Sequence, residues 1–336
     1  MSNAEPGKPY IYHVAEAGFR HGASYLYITM ESRPFVRVGL QDLVPFGDSA
    51  INKGQVQEFI DRKAPAFHKK KFDSTGFARF AFPMGQGARC RVDLVSTVKG
   101  PSIALHMLPG ELPGLDSLNL SRAVLDYACA NSGIFLVCGK PRSGKTTTLA
   151  SMLQQVNESS CKHVLWISEV AEYLLAPCKS FVNQIETAYL DDVCEMTAIL
   201  APMGADVIAF DLQAEEGLLW QAVLAAENGA SVFLTTQCVG TTYGLEKLVN
   251  TVGSGLRREF ASRLSQVFTG AVYQELVQGA GSPVPATEFL VGTQPVKNLL
   301  REGKFLQIQD LIAAGEKYGM ETLEKSKRRL SGGGLI

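Results

Sequence analysis

Eight consecutive residues, Gly139-Lys140-Pro141-Arg142-Ser143-Gly144-Lys145-Thr146, match G-x-x-x-x-G-K-[ST] in full. Glycines at the first and sixth positions let backbone N–H groups turn inward around phosphate oxygens. Lys145 is placed to neutralise the β- and γ-phosphates, and the Thr146 hydroxyl to hold Mg²⁺. Arg142, Ser143 and Thr147 complete the stretch that would face the nucleotide, so the chemistry indicated is binding of ATP with Mg²⁺.

The flanks turn that pattern into a credible loop. Ile134-Phe135-Leu136-Val137-Cys138 is a continuous apolar run of the kind expected for a buried strand. Behind the motif, Leu149, Met152, Leu153 and Val156 recur at helical spacing, so the loop runs from a strand into a helix N-terminus with its partial positive charge.

Further apolar runs at 164–167, 207–210 and 232–235 alternate with helical stretches such as 218–227, which Gly229 stops. Strands alternating with helices after a phosphate loop predict an α/β fold with a parallel, helix-covered sheet. From about residue 245 the pattern is mostly helical, with one β-excursion around 271–291.

Upstream, residues 1–109 predict an α+β domain. Strands are expected at 24–29, 35–38, 76–83, 89–96 and 103–108, with a helix at 53–62 and a hairpin turn at 84–87. The basic run His68-Lys69-Lys70-Lys71 is read as a solvated turn rather than a nucleic-acid contact, since no aromatic or basic partners surround it. The Pro- and Gly-rich stretch 110–118 predicts a linker, leaving 119–336 as the phosphate-binding domain, which opens on a helix at 120–130.

At 336 residues, two domains are the default. A formal net charge of −1 argues against a broad nucleic-acid or anionic-membrane field. No apolar run is long enough to cross a bilayer, and the N-terminus carries no signal-peptide pattern. The seven cysteines form no C-x-x-C pair, which points away from a zinc ribbon or a disulfide framework and towards reduced thiols in the cytoplasm. Residues Ser2-Asn3-Ala4 resemble a tag scar and could equally be native.

Hydrolysis asks for more than binding: an acid on a neighbouring strand, a group to position water, and positive charge against the transition state. Asp211 ends the run 207–210 and is the best-placed acid, for catalysis and for Mg²⁺; it is also placed to cap the helix at 215–227. Glu169, after the run 164–167, is a second catalytic candidate and Glu172 a third. Glu215 and Glu216 read as decoration of a first helical turn.

Taken together these residues resemble the type IV pilus retraction ATPases, the PilT family within the type II/IV secretion ATPases. The similarity runs from about 88 to 336 and more weakly over 10–87. Ala225-Ala226-Glu227-Asn228-Gly229 resembles the family's AAETG, and Phe181-Val182-Asn183-Gln184 its VNQRE approach. Residues 295–304 are similar to AIRNLIREGK, and Lys317-Tyr318-Gly319-Met320-Glu321-Thr322 to KLGMQTM. The resemblance implies a PAS-like N-terminal domain and a RecA-like P-loop core. It also implies a homohexameric ring, cytoplasmic but held peripherally at the inner membrane by a pilus platform protein, with a second retraction ATPase as a further partner and no nucleic acid.

The chain departs from the family at its catalytic boxes. TIEDPIE matches Trp166-Ile167-Ser168-Glu169-Val170-Ala171-Glu172, with Ser168 in place of the first acid. LIGEMRD places Asp211 at the catalytic glutamate and Gln213 at the following arginine; TLHT places Gln237 at the histidine. Aspartate is one methylene shorter, and a displacement of ~1 Å at a reacting centre costs ~100-fold in rate. Of the family's N-terminal arginines, two correspond to Arg89 and Arg91, which join the nucleotide-binding set; two more fall on Lys99 and His106, which lack the guanidinium fork.

Two functions follow. One is a diverged motor coupling ATP hydrolysis to pilus retraction and twitching motility. The other is a weakly active or non-catalytic ATP-binding ring subunit that modulates an active motor. A generic P-loop kinase or nucleic-acid motor lacks support. The segment 295–304 is read either as the coupling element or as an amphipathic packing helix, which accounts for its leucines but not for Lys297, Arg301 and Glu302.

Overall fold

The computed structural model describes residues 8–85, 88–108, 110–121, 123–124, 126, 132–187, 204–279 and 283–336. The expected turn at 84–87 and helix at 120–130 fall partly outside these, as do Pro109, Cys129 and Cys194. The chain forms two compact units, Met1–Glu111 with Val170–Tyr173, and Leu112–Glu169 with Leu174–Ile336.

In the N-terminal unit six antiparallel strands are ordered β3-β2-β1-β6-β5-β4. They are β1 Tyr25–Thr29, β2 Phe35–Arg37, β3 Val44–Pro45, β4 Phe77–Pro83, β5 Arg89–Thr97 and β6 Gly100–Leu108. Helices α1 Tyr10–Arg20 and α2 Lys53–Lys63 contribute Ile11, Val14, Val56, Phe59 and Ile60 to one core with Leu26, Phe80, Val92 and Leu105. The start of α2 is fixed by a capping box between Asn52 and Gln55. Alternation along β5 buries Cys90, Val92 and Leu94 and turns Arg89, Arg91 and Asp93 to the other face.

The basic run at 68–71 is not a turn. It lies inside helix α3 Ala66–Thr75, and its histidine is buried against Phe80 while Lys69 bonds to Asp61. A helix started by Pro65 with no side-chain cap gives no sequence signal beyond the proline.

The second unit is built on a seven-stranded sheet, β13-β12-β7-β11-β10-β8-β9. Its strands are β7 Gly133–Gly139, β8 His163–Ser168, β9 Phe181–Glu186, β10 Val207–Asp211, β11 Ser231–Thr236, β12 Phe268–Val277 and β13 Val284–Val291. All pairings are parallel except β12 with β13. Strand β7 is buried along its whole length, as a continuous apolar run requires. Helix α4 Lys145–Ser159 follows the phosphate loop, and α5 Glu216–Glu227 joins β10 to β11. Next come α6 Thr241–Thr251, α7 Arg257–Val267, α8 Gln294–Arg301, α9 Phe305–Ala314 and α10 Leu323–Gly332.

Residues 110–118 do not hang loose. Leu115–Leu118 form a 3₁₀ turn with both leucines buried, and the Pro113 carbonyl accepts a 2.8 Å hydrogen bond from Ser151 of α4. Helix α8 buries Val296 and Leu300, and Lys297 donates to the Gln266 carbonyl at the end of α7, which gives that charge a packing role. Among the described residues no helix is long and apolar enough to cross a membrane.

Candidate active site at the carboxyl edge of the parallel sheet

The loop 139–146 bridges β7 and α4 with positive φ at Arg142 (65°) and Gly144 (85°), the backbone path that turns successive N–H groups towards one side. A Cβ on Gly139 would overlap Ser143 Oγ and lie 2.7 Å from the Gln274 carbonyl oxygen. Only glycine fits there. The loop is braced from β12, where the buried Gln274 donates from Nε2 to the Ser143 carbonyl at 2.7 Å. Lys145 Nζ donates to the Lys140 carbonyl at 2.8 Å, folding the ammonium back over the loop.

A polyphosphate fits these residues on two observations. The loop takes the anion-binding path around a glycine that admits no side chain. Within it, Ser143 Oγ is buried without a hydrogen-bond partner among the described residues. An acceptor-rich anion supplies what an unpaired buried hydroxyl lacks.

Four parallel strands order the remaining candidates along one edge. Register pairs Thr236 of β11 with Cys138 of β7, and Asp211 of β10 with Ser168 of β8. Gln237 leaves β11 exposed, and Glu169 directly follows β8. Adjacent strands lie about 4.8 Å apart, so Asp211 stands about 10 Å from the loop strand and Glu169 about 14 Å. That separation ranks Asp211 ahead of Glu169.

Asp211 does not cap α5. The residue at the cap is Glu215, with no side-chain cap bond, and the Asp211 carboxylate instead accepts a 2.8 Å hydrogen bond from Thr235 of β11. The strand geometry holds Asp211 in the sheet, four residues short of the helix cap. Glu216 accepts from the Gly253 amide.

Glu172 belongs to the N-terminal unit. It is buried, ion-paired with Arg91 and 3.8 Å from His106 Nδ1. Burial favours its neutral form, but His106 and the Arg91 guanidinium outweigh it and hold the carboxyl below its ordinary range. A carboxylate so held is a poor base. Arg91 also lies 3.5 Å from Asp93, which pairs with Arg79. Arg89 donates from Nε to the Ala171 carbonyl at 3.0 Å, and His106 stacks on Tyr25 at 4.3 Å. The sequence singled out Arg89, Arg91, His106 and Glu172 separately but not their meeting, because residues 170–173 join strands some 80 positions upstream.

Among the described residues no group of three or more His, Cys, Asp or Glu could hold a metal ion. Magnesium carried by a nucleotide needs no such cage, since phosphates and water supply most of its ligands.

No protein-family model matches the chain. The chain is 30% identical over 261 residues to the "Twitching motility protein" of Neisseria gonorrhoeae, covering 76% of this chain and 70% of that one. It is 27% identical over 320 residues to the type IV pilus retraction ATPase PilT of Pseudomonas aeruginosa, covering 94% and 92%. Among solved structures it resembles the pilus retraction motor PilT with bound ADP, at a TM-score of 0.81 and 26% identity over 97% of this chain and 94% of that one. The fold match and these relatives agree: the chain belongs to the PilT family of type IV pilus retraction ATPases.

Proposed function

We propose that this chain is the ATP-hydrolysing subunit of a ring-shaped pilus motor that drives retraction, with Asp211 as its acid. The observation that carries the reading is the position of Asp211, two strands from the phosphate loop on the same sheet edge and fixed by Thr235. The loop amides, Lys145 and Thr147 hold the phosphates. Thr146 and Asp211 would hold Mg²⁺, which would supply positive charge against the transferring phosphate. Glu169, farther along the edge, positions water; Glu172 is released from that role by its ion pair with Arg91. Arg91 would have to leave Glu172 to meet a phosphate, and Arg89 to leave Ala171.

Assembly as a homohexamer, a cytoplasmic place at the inner membrane and partnership with a second retraction ATPase are carried over from the family, and docking on a pilus platform protein rests on the likeness of residues 295–304 to the family's AIRNLIREGK. One observation favours a feebler enzyme that modulates a partner motor. Gln237 stands exposed where the family has histidine, and Ser168, paired with Asp211, stands where it has an acid.

Steady-state ATP hydrolysis with Mg²⁺, beside Lys145→Ala and Asp211→Asn and with nucleotide binding in parallel, separates the two. Turnover lost in both variants supports the motor. Binding without turnover above the Lys145→Ala background leaves the modulating subunit.

A further inference from the structure

Two cysteines a hundred positions apart meet at the base of the phosphate loop. Cys138 is the residue before Gly139 and is fully buried. Cys238 follows the exit of β11 and is half-buried between the exposed Gln237 and Val239. Both sulfurs crowd one point beneath α6: a Cβ on Gly244 would lie 2.6 Å from Cys138 Sγ and 3.3 Å from Cys238 Sγ. Both thiols are free.

We propose that Cys238 and Cys138 form a peroxide-driven, reducible disulfide that loosens the nucleotide site. Cys238 is the attacking sulfur, because it is the one solvent reaches and the one the surroundings activate. Its pKa is pulled down to about 7, first by the Cys138 thiol and, against burial, by the Gly240 and Gly139 backbone and the Lys247 ammonium. The thiol also lies 3.1 Å from the Gly240 carbonyl oxygen, which steadies its protonated form without reversing the net pull. Cys138, fully desolvated, is pushed far up and rests as a thiol, so its S–H proton passes to the departing sulfenic oxygen as its sulfur attacks.

The chemistry balances in two steps. The Cys238 thiolate attacks one peroxide oxygen, giving a sulfenic acid and hydroxide. The Cys138 sulfur then attacks the sulfenic sulfur, forming the S–S bond and expelling water. Two thiols lose two protons and two electrons, and hydrogen peroxide becomes two waters. Drawing the sulfurs to a bond length of about 2.05 Å displaces the residue on which Gly139 is hinged. Gly139 has no slack, since Ser143 and the Gln274 carbonyl already close on it.

The effect on the site rests on the nucleotide-binding reading above. The test treats the reduced full chain with a small excess of hydrogen peroxide and blocks remaining thiols under denaturing conditions. Peptides are then mapped by mass spectrometry, and fluorescent ATP-analogue binding is measured before oxidation, after it, and after dithiothreitol. The expected result is a 138–238 linked peptide with loss of nucleotide affinity, both reversed by reduction. In Cys138→Ser, Cys238 should stop at a sulfenic acid that dimedone traps. The proposal is overturned if Cys138 remains blockable while Cys238 oxidises further, or if Cys238 links instead to the exposed Cys161 or Cys178. A 138–238 link with unchanged affinity overturns the coupling. Failure of the reduced chain to bind counts against the nucleotide reading, while the peptide map still judges the disulfide.

Discussion

The Thr235 hydroxyl donates a 2.8 Å hydrogen bond to the Asp211 carboxylate, joining the strand beside the phosphate loop to the strand that carries the acid. Hydrogen bonds to charged groups contribute about 1.5–3 kcal/mol. This one also fixes which way the carboxylate points. Thr235→Val keeps the shape and removes the donor. The expected outcome is a drop in ATP turnover of about tenfold or more with nucleotide affinity nearly unchanged, read from steady-state kinetics and equilibrium binding. An equal loss in both would show that Thr235 supports the fold rather than the acid.

Asp211→Glu tests the missing methylene. If the shorter carboxylate limits the rate, lengthening it should raise turnover, since ~1 Å at the reacting centre is worth up to ~100-fold. Unchanged or lower turnover would mean that Thr235 and the strand spacing already suit aspartate. Asp211→Asn, run beside it, should bind nucleotide and fail to hydrolyse it.

Gln274 and Gly139 test the cradle. Gln274→Leu leaves the Ser143 carbonyl without its buried donor, at a cost of about 1–3 kcal/mol. A lower melting temperature and weaker nucleotide binding should appear together. Gly139→Ala should abolish binding outright, because its methyl has no room beside Ser143. Gly255→Ala, where a Cβ meets nothing within 4 Å, is the control and should bind as wild type.

How much of this was legible depends on sequence distance. The strand–loop–helix at 133–159 is local, so apolar run, glycines and helical spacing all report on it. Gln274 braces the loop from 131 residues away, and Glu172 meets Arg91 across 81. Nothing at either end marks such pairings. Helices α1 and α3 follow prolines and lack side-chain caps, whereas α2, with its capping box, was readable. Strand β9 lies at the sheet edge with no buried residue, so it lacks the apolar run that betrays β7, β8, β10 and β11. Asp211 was legible as an acid but not as Thr235's partner, because strand order comes from tertiary pairing.

Glu172 makes the N-terminal unit acid-sensitive. Its folded pKa lies below the ordinary 4.5, so the unfolded chain binds more protons in the interval between them. The stabilisation is present above 4.5 and is lost as pH falls through the folded value. Glu172→Gln should remove that part of the acid dependence, flattening the fall in melting temperature as the pH drops below about 5. At neutral pH the same variant should be less stable. Breaking a buried pair costs about 3–5 kcal/mol, and the low end is expected because Asp93 still faces Arg91. Thermal unfolding of both proteins across that range decides it.

Cys238 should alkylate with a midpoint near pH 7, well below an ordinary thiol, because its thiolate is stabilised first by the Cys138 S–H. The pH dependence of iodoacetamide labelling at Cys238, followed by peptide mapping, reads that midpoint directly. Cys138→Ala removes the donor and should move the midpoint up, while Cys138→Ser keeps an O–H in its place and should leave it low. Lys247→Ala should produce a smaller upward move, since the ammonium is a lesser influence and is already engaged with the Gln237 carbonyl. A midpoint that ignores Cys138 but follows Lys247 would assign the activation to charge rather than to the paired thiol.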